Sequence, residues 1–342
     1  MSARVNVVVV GAGRMGSVHA RLIAGEVPEA RLVAIADVDG TAAARLADEL
    51  GVAASPDPAE AIAAPGVDAV VVAVSSSRHV EVVSLAAAAG RDVLCEKPLA
   101  LTIEGHDEGI AVANRAGTRL QVGFMRRWDD DYVRAHEAIG NGDLGRTTLF
   151  KSLQFDADPI PPSFRDPAVS GGIFVDMGIH EFDLARWLMG SEVVRVHAFG
   201  SAVVDEDLGR LGDVDNAVVD LLFADGAVGS VELSRNAAYG EDVRTEVVGS
   251  AGSAFVGGLP ATRFTLGRPG ELVAAATPTT VPRFRDALVA QARAFVRAIA
   301  DDRPVSPDGA DSRAALEIAL AARRSLESGE PVDVGAQPLA IS

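Results

Sequence analysis

Lysine is nearly missing from this chain: of 342 residues only Lys97 and Lys151 carry an ammonium, against 29 arginines. Arginine is a permanently charged planar fork, whereas lysine is a compact point charge whose proton can be shifted by its surroundings. A sequence that writes almost every cation as Arg makes each remaining Lys a candidate for a position needing a titratable ammonium. Cysteine is scarcer still: Cys95 stands alone, which excludes an internal disulfide and a thiolate metal cage. No apolar run approaches the roughly 20 residues that span a bilayer. Positive charge is in deficit too, with a formal net charge of −17 at pH 7. That balance excludes the basic footprint that nucleic acids and anionic membranes require. A phosphate-bearing ligand would have to be held by local devices, and a neutral polyol would be indifferent to the field. The chain enters its first strand without the pattern of a signal peptide, so a cytoplasmic protein is expected.

The length suits two domains with separate cores. Val5 to Val10 is a β-branched run broken only by Asn6, as expected of a strand covered on both faces of a parallel sheet. Gly11-Ala12-Gly13-Arg14-Met15-Gly16 follows at once, then a helical stretch from Ser17 and a second apolar strand, Arg31 to Ala36, ending at Asp37. Gly11 permits the tight turn, Gly13 lets the backbone approach a pyrophosphate, and Gly16 lets helix and strand pack closely. The helix start offers N–H groups and a positive dipole end to the phosphates. Asp37, 21 residues after Gly16, is placed to bond a ribose diol, and its carboxylate would repel a 2′-phosphate. Val38 and Asp39 supply no cation, and only Arg45 on the next helix is placed to do so, so NAD is favoured over NADP. A strand, the glycine loop, a helix and a terminal acid together form a specific signal. Further strands at Asp68–Val74, Asp92–Cys95 and Arg119–Val122 alternate with helices at His79–Ala89 and Ile103–Ala116, which predicts a doubly wound parallel sheet. The loops after Val74, Cys95 and Val122 open on the cofactor edge. They bring Ser75, Lys97, Pro98, Met125 and Arg126 toward the nicotinamide.

The second half changes texture. A helix from Asp130 leads to an alternating strand, Thr147–Asp156, with Ser152, Gln154 and Asp156 on one face and Lys151, Leu153 and Phe155 on the other. Strands at Val193–Val204, Asn216–Phe223, Val228–Arg235 and Val243–Val248, then helices at Phe284–Ala300 and Ala310–Ser325, predict an α+β domain with a largely antiparallel sheet. Asp225-Gly226 marks a hairpin. The proposed domains are 1–123 and 124–342. One segment, Ile173 to Trp187, preceded by Gly171-Gly172, reads as a helix carrying Asp176, His180 and Asp183 on one stripe. A histidine with carboxylates one turn to either side has the makings of a general base tuned near neutrality. With no second histidine nearby and no thiol, no metal is expected.

The glycine loop, Glu96-Lys97-Pro98, Gly123-Phe124-Met125-Arg126-Arg127 and Gly171-Gly172…Asp176-x3-His180-x2-Asp183 occur in that order. Together they resemble the Gfo/Idh/MocA oxidoreductases, most closely the inositol 2-dehydrogenases, over essentially the whole chain. The resemblance implies an N-terminal Rossmann domain, a C-terminal α/β domain whose open sheet mediates tetramers, and Lys97, Asp176 and His180 as the catalytic group. It implies NAD contacts from Gly11, Gly13, Arg14, Met15, Gly16, Asp37, Val38, Ser75, His79, Glu96, Lys97 and Arg126. Substrate contacts would come from Lys97, Met125, Arg126, Gln154, Asp156, Asp176, His180, Asp183, Tyr239 and Glu241. The expected reaction is NAD-dependent oxidation of a secondary hydroxyl of a cyclitol such as myo-inositol. Two departures bear on the substrate. Gln154 and Asp156 stand where such enzymes place His and Asn, and Tyr239-Gly240-Glu241 stands for Tyr-Gly-Tyr. Added carboxylates suit sugar diols and also amino groups, so a pyranose, an anhydrosugar or an aminocyclitol are alternatives. A catalytically silent NAD-binding sensor is the reading from another class; it predicts loss of Lys97, Asp176 or His180, and all three are present. Lys151, opposite Gln154 and Asp156, is expected to be structural or at a subunit contact.

Overall fold

A computed structural model of the chain describes residues 4–258, 260–268, 271–277 and 279–335. The chain forms two compact units: residues up to Trp128 with Asp286–Arg313, and Asp129–Arg285 with the residues from Ala314 onward. The first unit is therefore not the simple stretch 1–123, and the second is not the unbroken stretch 124–342.

In the first unit, strands β1 (Val5–Val10), β2 (Ala30–Ala36), β3 (Ala53–Ser55), β4 (Ala69–Val72), β5 (Asp92–Cys95) and β6 (Leu120–Val122) form one sheet in the order β3-β2-β1-β4-β5-β6. Every neighbouring pair is parallel. The order reverses between β1 and β4, the switch point at which doubly wound sheets bind their ligands. The β-branched runs form strands because both faces are covered: Val7 to Val10 and all of β4 are buried. Helices α1 (Arg14–Glu26), α2 (Gly40–Leu50), α3 (Pro58–Ala63), α4 (His79–Ala88) and α5 (Ile103–Ala116) connect them. Short β3 and α3 carry too few residues to show a period, and the sequence reading omits them. Strand β4 stops at Val72, two residues before the expected end, and the Val74 carbonyl faces the His79 ring instead. The segment Asp286–Arg313 belongs to this unit because Ala292, Phe295 and Val296 join Val7, Ile23, Ile35 and Leu46 in one apolar cluster. Their three- and four-residue spacing is a helix stripe, and burying it against the sheet is what holds the segment there.

The second unit is built on α6 (Asp130–Gly140), β7 (Thr147–Phe155), α7 (Pro167–Ser170), α8 (Ile179–Met189), β8 (Val193–Ser201), α9 (Glu206–Arg210), β9 (Asn216–Phe223), β10 (Val228–Ser234), β11 (Asp242–Gly249) and β12 (Ser253–Val256). Hairpin β13 (Pro260–Arg268) and β14 (Glu271–Ala276) forms a separate two-stranded sheet. Helix α10 (Thr280–Ala300) belongs to this unit only up to Arg285 and helix α11 (Gly309–Ser328) only from Ala314; strand β15 (Val332–Asp333) follows. The main sheet has the order β12-β11-β7-β10-β9-β8-β15. All pairs are antiparallel except β7 with β10. One face packs under α8, with Phe150, Ser152 and Gln154 buried. The other is open: Phe199, Val218, Leu222 and Phe255 are exposed along it, and Lys151 lies there with its ammonium 3.5 Å from Glu246.

The segment expected to be one helix is helical throughout but not α-helical throughout. Phe174–Gly178 is a π turn, and α8 begins only at Ile179. The wider turn changes the angular offset between Asp176 and His180 from that of a regular α-helix, because a π turn closes i→i+5 bonds. Gly171 (φ +82°) and Gly172 (φ +73°) enter it in the left-handed region, which only glycine adopts freely.

Candidate active site

The glycine loop joins β1 to α1 at the carboxyl edge of the parallel sheet, and its three glycines answer to different demands. A Cβ on Gly11 would lie 2.4 Å from the Ala73 carbonyl oxygen, and one on Gly16 would lie 1.8 Å from the Gly11 carbonyl oxygen. Those two are glycine because the fold leaves no room. Gly13 is different: among the described residues, nothing beyond its own chain neighbours and helix backbone lies within 4 Å of the Cβ it lacks, which leaves room for something that approaches from outside. The start of α1 has no side-chain cap and no acid in its first turn. By contrast, Asp39, Asp57 and Thr102 cap α2, α3 and α5. A helix start without a side-chain cap, behind a loop whose backbone is open to approach, fits a pyrophosphate. Asp37 ends β2 and holds the loop from behind: one carboxylate oxygen accepts from the Ala12 N–H at 2.6 Å, the other from the Asp39 N–H at 2.8 Å. A carboxylate offers about four lone-pair sites, which leaves acceptor capacity for a ribose diol. Val38 is exposed at the same edge. The residues present thus fit a dinucleotide without a 2′-phosphate.

Lys97 follows β5 in a turn built on buried ionisable groups. Glu96 accepts from the His19 ring at 2.7 Å through one oxygen and from the Lys97 N–H at 3.2 Å through the other. Burial pushes the Glu96 carboxyl up, but the His19 bond and the charges of His19, Lys97 and His79 outweigh that and hold it below its ordinary value. His19 is 1% exposed and lies on α1, so it ties the glycine-loop helix to the lysine turn; sequence reading passed over it. His79, expected at the cofactor, has both ring nitrogens facing backbone carbonyls, Nδ1 at 2.7 Å from Pro98 and Nε2 at 3.2 Å from Val74. Burial lowers its pKa, the Pro98 and Val74 carbonyls opposing that, and the ring, held between them, braces the turn. Ser75 opens the loop after β4, its hydroxyl 3.5 Å from that of Ser77. Met125 and Arg126 sit in a tight turn after β6 and are buried. Cys95 is buried, and burial raises its thiol pKa well above the usual value, which makes it an inert core residue.

In the second unit Asp176 lies on the π turn and His180 and Asp183 on α8. Their exposure falls along the chain: the Asp176 side chain is 23% exposed, His180 5% and Asp183 1%. Asp176 Oδ2 accepts from Arg235 Nη1 at 3.0 Å, a partner that sequence reading missed. Glu181, fully buried, accepts from the Ser152 hydroxyl. Ser152 in turn meets Thr245 at 2.7 Å, and Thr245 meets the Tyr132 hydroxyl at 2.8 Å. This buried polar chain fastens α8 to β7, β11 and α6, which fixes the helix that carries His180.

The expected substrate contacts on the strand side divide. Gln154 is buried and its amide donates to Asp156 at 2.8 Å, so the two act as one unit at the end of β7. Glu241 accepts from the Thr280 hydroxyl at 2.9 Å and from the Ala157 N–H at 3.4 Å. The Tyr239 hydroxyl donates to Asp242 at 2.8 Å, and burial together with that carboxylate pushes its pKa up to about 12. Those engagements make Glu241 and Tyr239 braces of the strand end.

Two family models match the chain: the oxidoreductase family with NAD-binding Rossmann fold over residues 5–124 and the Gfo/Idh/MocA C-terminal domain over 132–255. The chain is 39% identical to the myo-inositol 2-dehydrogenase of Thermotoga maritima, over 95% of this chain and 97% of that one. It is 34% identical to the NAD(+)-dependent scyllo-inositol 2-dehydrogenase of Bacillus subtilis, over 98% and 97% of the two chains. Among solved structures, scyllo-inositol dehydrogenase from Lactobacillus casei with bound NAD(H) and scyllo-inositol matches with a TM-score of 0.91 at 29% identity, over 97% of this chain and all of that one. With its parallel sheet, glycine loop and Asp/His segment, the chain belongs to the Gfo/Idh/MocA family and is an NAD-dependent oxidoreductase.

Proposed function

We propose that this protein oxidises a secondary hydroxyl of a cyclitol of the inositol class to the ketone, with NAD⁺. The similarity to two inositol 2-dehydrogenases over almost the full length of the chain carries this reading, and the presence of Lys97, Asp176 and His180 supports it. NAD⁺, when bound, supplies the hydride acceptor. Gly11, Gly13, Arg14, Met15 and Gly16 would hold its pyrophosphate, Asp37 and Val38 its adenine ribose, and Ser75, His79, Glu96, Lys97 and Arg126 its nicotinamide end. His180 takes the hydroxyl proton, Asp176 orients the imidazole and stabilises the imidazolium, and Lys97 hydrogen-bonds the oxygen as negative charge develops on it. Met125, Arg126, Gln154, Asp156 and Asp183 bind the remaining hydroxyls, with Tyr239 and Glu241 shaping that end of the site.

A second reading, an aminocyclitol, is favoured by one observation. Asp156 brings a carboxylate beside Gln154, and a carboxylate pairs with an ammonium group better than with a hydroxyl. The deciding experiment is a screen of NADH formation over inositol stereoisomers, their amino and O-methyl derivatives and common aldoses. Turnover highest on an inositol supports the first reading and highest on an amino derivative the second. No turnover on any of them, with NAD still bound, overturns both in favour of a silent NAD-binding protein. We also propose that the chain assembles as a homo-oligomer through the open face of the seven-stranded sheet.

A further inference from the structure

Arg235 directly follows β10, in phase with the inward-facing Gly229, Val231 and Leu233. Its side chain is 6% exposed, and an arginine pointing into a core is costly unless it meets anions there. It meets two. Nη1 donates to Asp176 Oδ2 at 3.0 Å, and Nη2 lies 3.7 Å from Asp213 Oδ2. Asp213 uses its other oxygen to accept from the Ile173 N–H at 3.0 Å. That oxygen would lie only 2.8 Å from a Cβ on Gly172. One guanidinium therefore grips the π turn by the Asp176 side chain, and through Asp213 it fixes the backbone that enters that turn.

We propose that Arg235 is a positioning residue for the oxidation: it sets the rotamer of Asp176 and the register of the π turn, so that Asp176 can orient the general base. This rests on the assignment of Asp176 and His180 as catalytic groups. The grip fits the left-handed backbone angle of Gly172, while that of Gly171 belongs to the C-cap of α7. The chain must turn sharply to bring the Ile173 amide onto Asp213. It also explains a carboxylate, Asp213, that no step of the reaction uses. Arginine suits the task because its two Nη groups can hold two separate carboxylates at once and its charge does not titrate away. A lysine, a single point charge, could serve one of them but not both.

The test is a double-mutant cycle on the full-length enzyme with its best cyclitol, reading kcat, KM and NAD affinity. Arg235→Met is expected to lower kcat about 10- to 100-fold, the range for misplacing a catalytic group by about an ångström, with NAD affinity unchanged. Arg235→Lys should recover part of that loss. In an Asp176→Asn background, Arg235→Met should cost little more, because residues acting as one unit are non-additive. Full additivity of the two losses would overturn the proposal, as would unchanged kcat in Arg235→Met. If Arg235→Met does not fold, Asp213→Asn and Arg235→Gln carry the same cycle, with the same two outcomes. An Asp176→Asn single variant that keeps normal turnover would instead overturn the catalytic assignment on which the proposal rests.

Discussion

Two residue-scale contrasts separate what binds from what folds. Gly13 and Gly16 share one motif, but only Gly16 is held by contact with the chain itself. Gly16→Ala should lower the unfolding temperature sharply or abolish soluble protein. Gly13→Ala should leave the unfolding temperature within a few degrees of wild type and weaken NAD binding at least tenfold. Calorimetry and a titration of NAD check the pair, and equal loss of stability in both variants would refute the distinction. Lys97 is the other contrast, set against Lys151 on the exposed sheet face. Lys97→Met should cut kcat by about 100- to 1,000-fold, the scale of a lost oxyanion donor, while NAD affinity stays close to normal; Lys151→Met should change neither. Lys97 stands out in sequence because composition and motif point to the same residue. Arg235 was passed over, although strand parity turns it inward, where an arginine needs a buried anion. Its partner Asp176 lies 59 residues away, and no period in the chain links them.

At the scale of elements, α5 is fastened through a buried histidine. His106 Nδ1 faces the Thr102 carbonyl at 3.1 Å and Nε2 the Ser312 hydroxyl at 3.0 Å. The carbonyl can only accept, so Nδ1 carries the proton and Nε2 accepts from Ser312, which is the neutral ring. Burial lowers the pKa to about 4, the Arg313 charge adding to it and the Thr102 carbonyl opposing it. The unfolded ring takes up a proton near its ordinary value, about 6.5. Between those two values the unfolded chain binds more protons than the folded one. Stability from this site is therefore complete above about pH 6.5 and falls as the pH drops toward 4, by on the order of 3 kcal/mol in all. The stability difference between wild type and His106→Gln, from urea unfolding, should shrink steadily over that window. A difference independent of pH would refute the assignment.

The same scale shows what patterning can and cannot carry. The valine runs of β1 and β4 and the limits of α5 and β9 were legible, since burial on both faces or a clean alternation leaves a period in the chain. The π turn was not. It arises where Gly178 lets Leu233 and Phe182 come so close that an added Cβ would sit 3.0 Å from each, and where Asp213 fixes the entry. Both causes lie in other elements.

For the whole molecule, no described helix is long and apolar enough to cross a membrane. The open sheet face exposes Phe199 at 56% and Phe255 at 73%, and apolar surface of that kind marks interaction sites when it is contiguous. Sedimentation of the wild type should give a mass that is a multiple of the 35.3 kDa chain. Phe199→Glu combined with Phe255→Glu should shift it toward the single chain, with kcat per chain measurable in the smaller species. A monomeric wild type would refute assembly through this face.

Sequence by itself determined the nature of the first unit and the cofactor, and it singled out the residues proposed for the chemistry. Each of these is written locally, in a strand, a glycine loop or a short motif whose spacing is set by backbone geometry. Tertiary structure decided the rest. It placed Asp286–Arg313 in the core of the first unit, because a helix stripe shows that it must be buried but not against what. It opened the π turn under Asp176 and chose Arg235 and Asp213 to hold it. It also set His19 behind Glu96 and turned His79 into a brace, since a buried polar group is satisfied by whatever partner the packing brings within about 3 Å.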